Sequence, residues 1–347
     1  MRQREINMAL LASTYEVEMN LIEDWDKHLN DKMISMGYKP KPGGYNSLDY
    51  YKAMKKLVSM EPRKVKYSKE FSCPDEYKGA LSKLVAHIES GKNLVPYMSK
   101  QVINPTQNDG LLNDWGIYHF HLNEDFEDNT VFIKRSDWLL LAYIDEKVVY
   151  CINVYPHKKP YLWTHLKLIE IIHSNWPELI EKYRLTDVEG LTHELDDVSY
   201  SNLRKANIST IVDLGKNKVF GLIGGGYASD GSSIEAVRTS DYWYNYIKKI
   251  ELYIRDEYKN FKKQMLRFDS WSMEKKLVIK LLTLTDDELI LLEKQRNVII
   301  RVNYNSGNIR MRTLNSLLDE FLSSSMLTSE LSRIRTATYS CFRLRTD

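Results

Sequence analysis

The chain has 347 residues, of which 43% are hydrophobic, so it can bury a large core and is not a disordered protein. Its 49 Lys and Arg residues are balanced by 47 Asp and Glu residues, which excludes a global positive field, so affinity for nucleic acid must come from local clusters. No apolar run approaches the roughly 18 residues of a membrane-spanning helix. The cysteines Cys73, Cys151 and Cys341 lie far apart, and we predict a cytoplasmic protein without a membrane anchor or thiolate zinc site.

The first hundred residues are predicted to be mostly helical. Apolar residues recur at helical spacing from 5 to 36, which predicts one long amphipathic helix. Prolines and glycines then mark a linker at 37–46. Ser47 is expected to cap a helix that ends near Met60, and another helix is expected from Asp75 to Ser90. The sequence thus predicts a helical N-terminal region over residues 1–100.

The pattern changes to strands in the central part of the chain. Residues 116–122 alternate, and residues 138–144 and 148–155 are rich in aliphatic, β-branched and aromatic side chains with a short polar turn between them. We expect three antiparallel strands with short helices after them. Residues 101–235 are therefore predicted to form an α+β central domain.

The C-terminal part is predicted to be mostly helical. Residues 240–267 have an aromatic-rich helical pattern, and Thr285-Asp-Asp-Glu288 has the spacing of a capping box, which predicts the start of another helix. A strand at 298–304 and two final helices are expected to complete residues 236–347. The predicted fold class is α+β, with a helical N-terminal region, a small antiparallel sheet with flanking helices and a mostly helical C-terminal part.

Two histidines one residue apart are the strongest functional lead. His119 and His121 lie in Trp115-Gly-Ile-Tyr-His-Phe-His-Leu122, and the two-residue repeat of a strand puts both imidazoles on one face. Imidazole titrates near neutral pH, which suits a general base and a general acid. With His157, at the end of the last predicted strand, they could instead bind zinc or manganese. A buried structural pair is the third interpretation, and the sequence leaves all three open.

Arg135 precedes the apolar segment that ends at His157. A guanidinium beside histidines suits binding and transition-state stabilisation at a phosphodiester, and the alternative is an ion pair with a neighbouring acid. The segment Arg135-Ser-Asp-Trp-Leu-Leu-Leu-Ala-Tyr-Ile-Asp-Glu-Lys-Val-Val-Tyr-Cys-Ile-Asn-Val-Tyr-Pro-His157 resembles the central hairpin of RelE/ParE-type toxins. In that hairpin an arginine leads an apolar strand, a short polar turn follows, and the return strand ends in histidine. The resemblance covers residues 117–157.

The resemblance implies an activity on nucleic acid. RelE/ParE-type toxins either cleave RNA, often on the ribosome, or poison gyrase, and they use basic and aromatic side chains and no metal. Carried over residue by residue, the resemblance implies that Arg135 contacts phosphate and that His157 transfers a proton. His119 and His121 are not part of the family pattern.

A second set of candidate residues lies in the last 52 residues, which hold eight arginines and no lysine. Arginines at this density, with aromatic residues between them, suit phosphate contacts and base stacking in RNA or DNA. A protein interface or an ion-paired helical surface is the alternative. The arginines are Arg296, Arg301, Arg310, Arg312, Arg333, Arg335, Arg343 and Arg345.

One further segment is a candidate phosphate site. Gly224-Gly-Gly226 follows a predicted strand, where backbone amides can bind an anion, but it lacks both the Walker and the dinucleotide-binding spacing. The sequence favours a flexible surface loop here.

These patterns predict a cytoplasmic toxin-like effector acting on nucleic acid, most concretely a metal-independent endoribonuclease without a cofactor. His119 or His121 is the expected base, the other or His157 the acid, and Arg135 stabilises the pentavalent phosphorane. Two alternatives stay open: a non-catalytic protein- or nucleic-acid-binding component of a defence or regulatory complex, and a metal-dependent hydrolase using the three histidines. The expected partners are RNA or another nucleic acid, an inhibitory or complex-forming protein, and a second copy of the chain.

Overall fold

The computed structural model describes residues 17–265, 276–285, 287–304 and 306–313. These residues form helices and small sheets, which confirms the predicted α+β class. They divide into two units. The first holds residues 17–35, 39–47 and the described residues from 240 to 313, and the second holds 36–38 and 48–239. No helix within the described ranges is both long and apolar enough to cross a membrane.

The secondary structure elements are numbered here in chain order. The α-helices are α1 (Leu21–Ser35), α2 (Ser47–Lys56), α3 (Lys78–Glu89), α4 (Gly110–Trp115), α5 (Lys167–Asn175), α6 (Glu178–Glu181), α7 (Asp197–Lys205), α8 (Ile234–Asp256) and α9 (Tyr258–Met265). The strands are β1 (Val17–Glu18), β2 (Lys64–Tyr67), β3 (Ile117–His121), β4 (Trp138–Ile144), β5 (Val148–Pro156), β6 (Val212–Asp213), β7 (Val219–Phe220), β8 (Leu277–Leu284), β9 (Glu288–Glu293), β10 (Val298–Asn303) and β11 (Ile309–Thr313).

The first unit contains a five-stranded sheet in the order β1-β8-β9-β10-β11, in which β1 joins β8 in parallel and the other neighbours are antiparallel. Helix α1 packs on β8, and its residues Leu21, Trp25, Leu29 and Met33 recur every four positions and are buried. The predicted helix over 5–36 is wrong at residues 17–20, because β1 pairs with β8 there. Residues 5–16 lie outside the described part of the chain.

The helix predicted to begin at Thr285 is also wrong. The Glu288 amide donates to the Thr285 hydroxyl at 3.0 Å, as in a capping box, but the Thr285 amide donates to the Glu288 carbonyl at 2.9 Å. These bonds close a turn between β8 and β9, whose residues alternate between half-buried and buried. The described residues after 276 therefore form antiparallel strands, and the two predicted final helices lie outside the described residues.

The second unit contains a four-stranded sheet in the order β2-β5-β4-β3. Strands β3, β4 and β5 are antiparallel, which confirms the three predicted strands, and β2 adds a parallel edge next to β5. One face of the sheet is covered by α4, α5 and α6 through a shared core that includes Leu111, Leu141, Ile169 and Ile180. Strand β3 is thus an edge strand of a sheet whose centre is buried.

The segment Gly224–Gly226 is packed against the end of α4. The Gly224 amide donates to the Asp114 carbonyl and the Gly226 amide to the Asn113 carbonyl, both at 2.8 Å. A Cβ atom at Gly224 would lie 2.5 Å from the Leu112 carbonyl oxygen, so only glycine fits this close approach. Because these two amides already have acceptors, the segment is neither a flexible surface loop nor a ready phosphate site.

Candidate active site

A cavity of about 410 Å³ opens in the second unit at the edge formed by β3. It is lined by all four residues that the sequence proposed for catalysis, namely His119, His121, His157 and Arg135. The remaining lining residues are Lys56, Met98, Ser99, Gln101, Val102, Gln107, Asn108, Asp109, Gly110, Leu111, Leu112, Tyr118, Trp163 and Arg204. The structure therefore places the candidate residues around one volume of the size of small-molecule sites.

A short helix and a glycine place His119 in this cavity. The Asp109 side chain caps α4 by accepting from the Leu112 amide at 3.0 Å. Gly116 ends the helix at a φ of +70°, the left-handed conformation that glycine adopts without strain, and β3 begins at the next residue. Strand β3 thus runs back toward the N-terminus of α4, where Asp109 lies, and Asp109 Oδ2 is 3.6 Å from His119 Nδ1.

The His119 ring is held on two sides. Its Nδ1 atom is buried and has no hydrogen bond, with the Asp109 carboxylate just beyond hydrogen-bonding distance. Its ring packs edge to face on Trp163, with 5.0 Å between centroids, and the side chain is 16% exposed. Nε2 is therefore the nitrogen left for a ligand, and a small inward movement of Asp109 would complete a hydrogen bond at Nδ1.

His157 faces the same cavity from the end of β5. Its amide donates to the Asp137 carbonyl at 2.6 Å, which fixes the backbone next to the start of β4. Its ring lies 5.7 Å from the Trp163 ring, so Trp163 contacts both His157 and His119. Burial, and then the positive charge of Arg135, hold the pKa of His157 below its usual value.

His121 is placed differently from the other two histidines. It is 4% exposed, and its Nδ1 accepts a hydrogen bond from the Ser136 amide at 3.4 Å. Burial, followed by the positive charges of His119 and Arg135, lowers the pKa of His121 to about 4. A neutral, buried ring stacked 6.1 Å from His157 suits a positioning role better than direct proton exchange with a ligand.

Arg135 is exposed and lines the cavity mouth. The alternative that it pairs with Asp137 or Glu146 is not found among the ion pairs of the described residues. Both Arg135 and Asp137 act electrostatically on His157, and Arg135 and His157 line the same cavity.

None of the remaining lining residues was proposed from the sequence, and three of them shape the site: Asp109, Trp163 and Lys56. Lys56 is buried, and its ammonium group donates to the carbonyls of Asn104 at 2.5 Å and Gln107 at 3.1 Å, which secures the loop that forms one wall. Burial lowers the pKa of Lys56 to about 8. Only Asp109 had a usable sequence signal, because an Asp two residues before an apolar helical turn is a common N-cap.

Four of the C-terminal arginines lie within the described residues, and their surroundings differ. Arg296 is 3% exposed in a 2.7 Å ion pair with Glu293, a setting that does not favour contact with nucleic acid. Arg301 pairs with Glu288 at 3.3 Å, whereas Arg310 and Arg312 are exposed on β11. The four remaining arginines, Arg333, Arg335, Arg343 and Arg345, lie outside the described residues.

The histidines do not converge as metal ligands do. In the described ranges, no group of three or more His, Cys, Asp or Glu side chains is placed to hold one metal ion. The geometry therefore gives no support to the hydrolase alternative that needs His119, His121 and His157 around one ion. Comparison with known protein families, curated proteins and solved structures found no match to this chain.

Proposed function

We propose that this protein is a metal-independent endoribonuclease that acts in the cytoplasm as a toxin-like effector. The observation that carries the proposal is the shared cavity, which is lined by His119 beside a carboxylate and by His157 and Arg135, whose positive charge acts on His157. Two imidazoles in opposite electrostatic surroundings are suited to opposite roles in proton transfer.

His157 is the proposed general base. Its lowered pKa keeps the ring neutral at pH 7, ready to take the proton from an RNA 2′-hydroxyl. The 2′-oxygen then forms a bond to phosphorus as the bond from phosphorus to the 5′-oxygen breaks. Arg135 lies at the cavity mouth, where its guanidinium can stabilise the charge on the phosphorane oxygens.

His119 is the proposed general acid. The Asp109 carboxylate faces Nδ1 and would stabilise the protonated ring, so that Nε2 can give its proton to the departing 5′-oxygen. The products are a 2′,3′-cyclic phosphate and a 5′-hydroxyl, and the reaction needs no co-reactant. His121 is proposed to position His157, against which it stacks.

The test compares cleavage of single-stranded RNA in EDTA by the wild type, His119→Gln and His157→Gln, with His193→Gln as the control. His193 is an exposed histidine that does not line the cavity, so its replacement should leave the rate unchanged. Each cavity variant should lose about 10²- to 10⁴-fold in rate, with a cyclic phosphate as the wild-type product.

Two results would contradict this proposal. The first is a wild type that cleaves no RNA, and the second is cleavage that both cavity variants retain while folded by circular dichroism. Either would favour the non-catalytic interaction protein, in which the histidines only support the fold.

A further inference from the structure

The segment that joins the cavity residues His157 and Trp163 carries an exposed aromatic side chain. Tyr161 lies four residues after His157 and two before Trp163, and it is 46% exposed. Within the part of the chain that the structure describes, its ring has no aromatic contact and its hydroxyl no hydrogen bond. A large ring is thus left open to solvent next to two residues of the proposed active site.

The backbone holds this ring in an unusual conformation. Tyr161 has a φ of +53°, the left-handed region that aromatic residues rarely adopt. The conformation is fixed because the Thr164 amide donates to the Tyr161 carbonyl at 2.9 Å and the Leu162 amide donates to the Lys159 carbonyl at 3.2 Å. Strain kept in an exposed segment between two cavity residues is typical of functional positions.

Two exposed cationic side chains accompany the same segment. Lys158 follows His157 directly, and Arg135 lines the cavity together with His157. The charges of both act on His157, and Asp137 opposes them there. The neighbouring Lys134 is paired with Asp125 at 3.4 Å and adds little free charge. Exposed cations and an exposed aromatic ring are the combination that binds single-stranded nucleic acid.

We propose that Tyr161 is a stacking platform for the base next to the scissile phosphate, and that the substrate is single-stranded RNA. This inference rests on the proposed function. The bases of a duplex are already stacked and paired, so only an unpaired base can lie on an exposed ring. The exposed side chains of Arg135 and Lys158 would hold the phosphates on either side of that base.

The experiment measures binding of a 2′-O-methyl RNA oligonucleotide, which lacks the nucleophilic hydroxyl, by fluorescence anisotropy. Tyr161→Asn removes the ring but tolerates the left-handed backbone, and Tyr161→Phe keeps the ring. We expect Tyr161→Asn to bind about tenfold more weakly and Tyr161→Phe to bind as the wild type does. Tyr67→Asn is the matched control, because Tyr67 is also 46% exposed but lies on β2 at the opposite edge of the sheet.

Each outcome separates this inference from the proposed function. Wild-type affinity in Tyr161→Asn, an equal loss in Tyr161→Phe, or equal affinity for the duplex form of the oligonucleotide would overturn the stacking role. Cleavage with no dependence on Tyr161 would reject only this inference. Binding that depends on the Tyr161 ring, in a chain that cleaves no RNA, would reject the endoribonuclease and support the stacking role.

Discussion

Each unit of the protein contains a basic side chain beside a carboxylate, and the two pairs differ in burial and in distance. In the first unit Arg296 and Glu293 are 2.7 Å apart, with side chains 3% and 0% exposed. In the second unit His119 and Asp109 are 3.6 Å apart beside an open cavity, and one ring nitrogen has no hydrogen bond. A pair enclosed by protein can only stabilise the fold, whereas a looser pair at a cavity can exchange a proton with a ligand.

The variant with the largest expected effect is Glu293→Gln, which tests whether the enclosed pair stabilises the fold. Its carboxylate accepts from the amides of Val278 and Arg296 and pairs with the Arg296 guanidinium. The variant would bury that guanidinium without the Glu293 charge, which we expect to lower the free energy of unfolding by about 3–5 kcal/mol. Denaturant titration measures this loss.

The matched control for Glu293→Gln is Glu288→Gln in the same sheet. Glu288 pairs with Arg301 at 3.3 Å in a half-exposed setting, so its loss should cost less than about 1 kcal/mol. Equal losses in the two variants would show that burial does not distinguish the pairs.

Asp109→Asn tests the other side of the comparison. Asn caps helices about as well as Asp, so the variant should keep the stability of α4 while it removes the negative charge that faces His119. We expect kcat for RNA cleavage to fall about 10- to 100-fold with little change in KM, part of the general-acid contribution of about 10²–10⁴. A fall in thermal stability that accounts for the whole loss would instead assign Asp109 a structural role.

The pH dependence of cleavage sharpens the role of His157. A general base works in its neutral form, and the pKa of His157 is lowered by burial and by Arg135. The acidic limb of the rate profile should therefore lie below pH 6.5, and Arg135→Gln should move it upward by less than about one unit. Lys134→Gln is the control, and a limb at or above pH 6.5 in the wild type would contradict the assignment of the base.

The smallest expected effect concerns the exposed arginines of the first unit. Arg310 lies directly across from Arg301 in the β10–β11 register. Like charges in this position repel each other, and a bound anion would reduce the repulsion. If this surface contacts RNA, Arg310→Gln should reduce the slope of log affinity against log salt by about 0.7. An unchanged slope would leave Arg310 with no nucleic-acid contact.

Local pattern predicted the elements whose partners are close in sequence. The alternation of 116–122 and the two apolar runs on either side of 145–147 predicted β3, β4 and β5. These strands pair with strands that are their neighbours in the chain, so the local sequence carries the signal. Thr285 and Glu288 gave a wrong prediction of a helix, because the same hydrogen bond between the Glu288 amide and the Thr285 hydroxyl occurs in a helix cap and in this turn between strands. Only pairing of β9 with β8 decides between them, and that pairing is not visible in four residues.

The part of the site that lies on one strand could be predicted from the sequence, and the part that comes from other elements could not. His119 and His121 share a strand face, so their proximity followed from the two-residue repeat. Asp109 and Trp163 come from other elements, and their approach to His119 depends on the turn at Gly116 and on packing across the sheet. The sequence could not show that His121 is buried although it lines the cavity, because residue identity alone does not give burial.

The turn at Gly116 also sets how the site comes together during folding. Asp109 and His119 belong to one stretch of eleven consecutive residues, so closing the contact between them costs little chain entropy. His157 lies a further 38 positions along the chain and reaches the cavity only after β4 and β5 have paired. The proposed acid and its carboxylate can therefore approach each other early in folding. The proposed base reaches the cavity only when the sheet is complete, so the full set of proposed catalytic residues forms only when the second unit is folded.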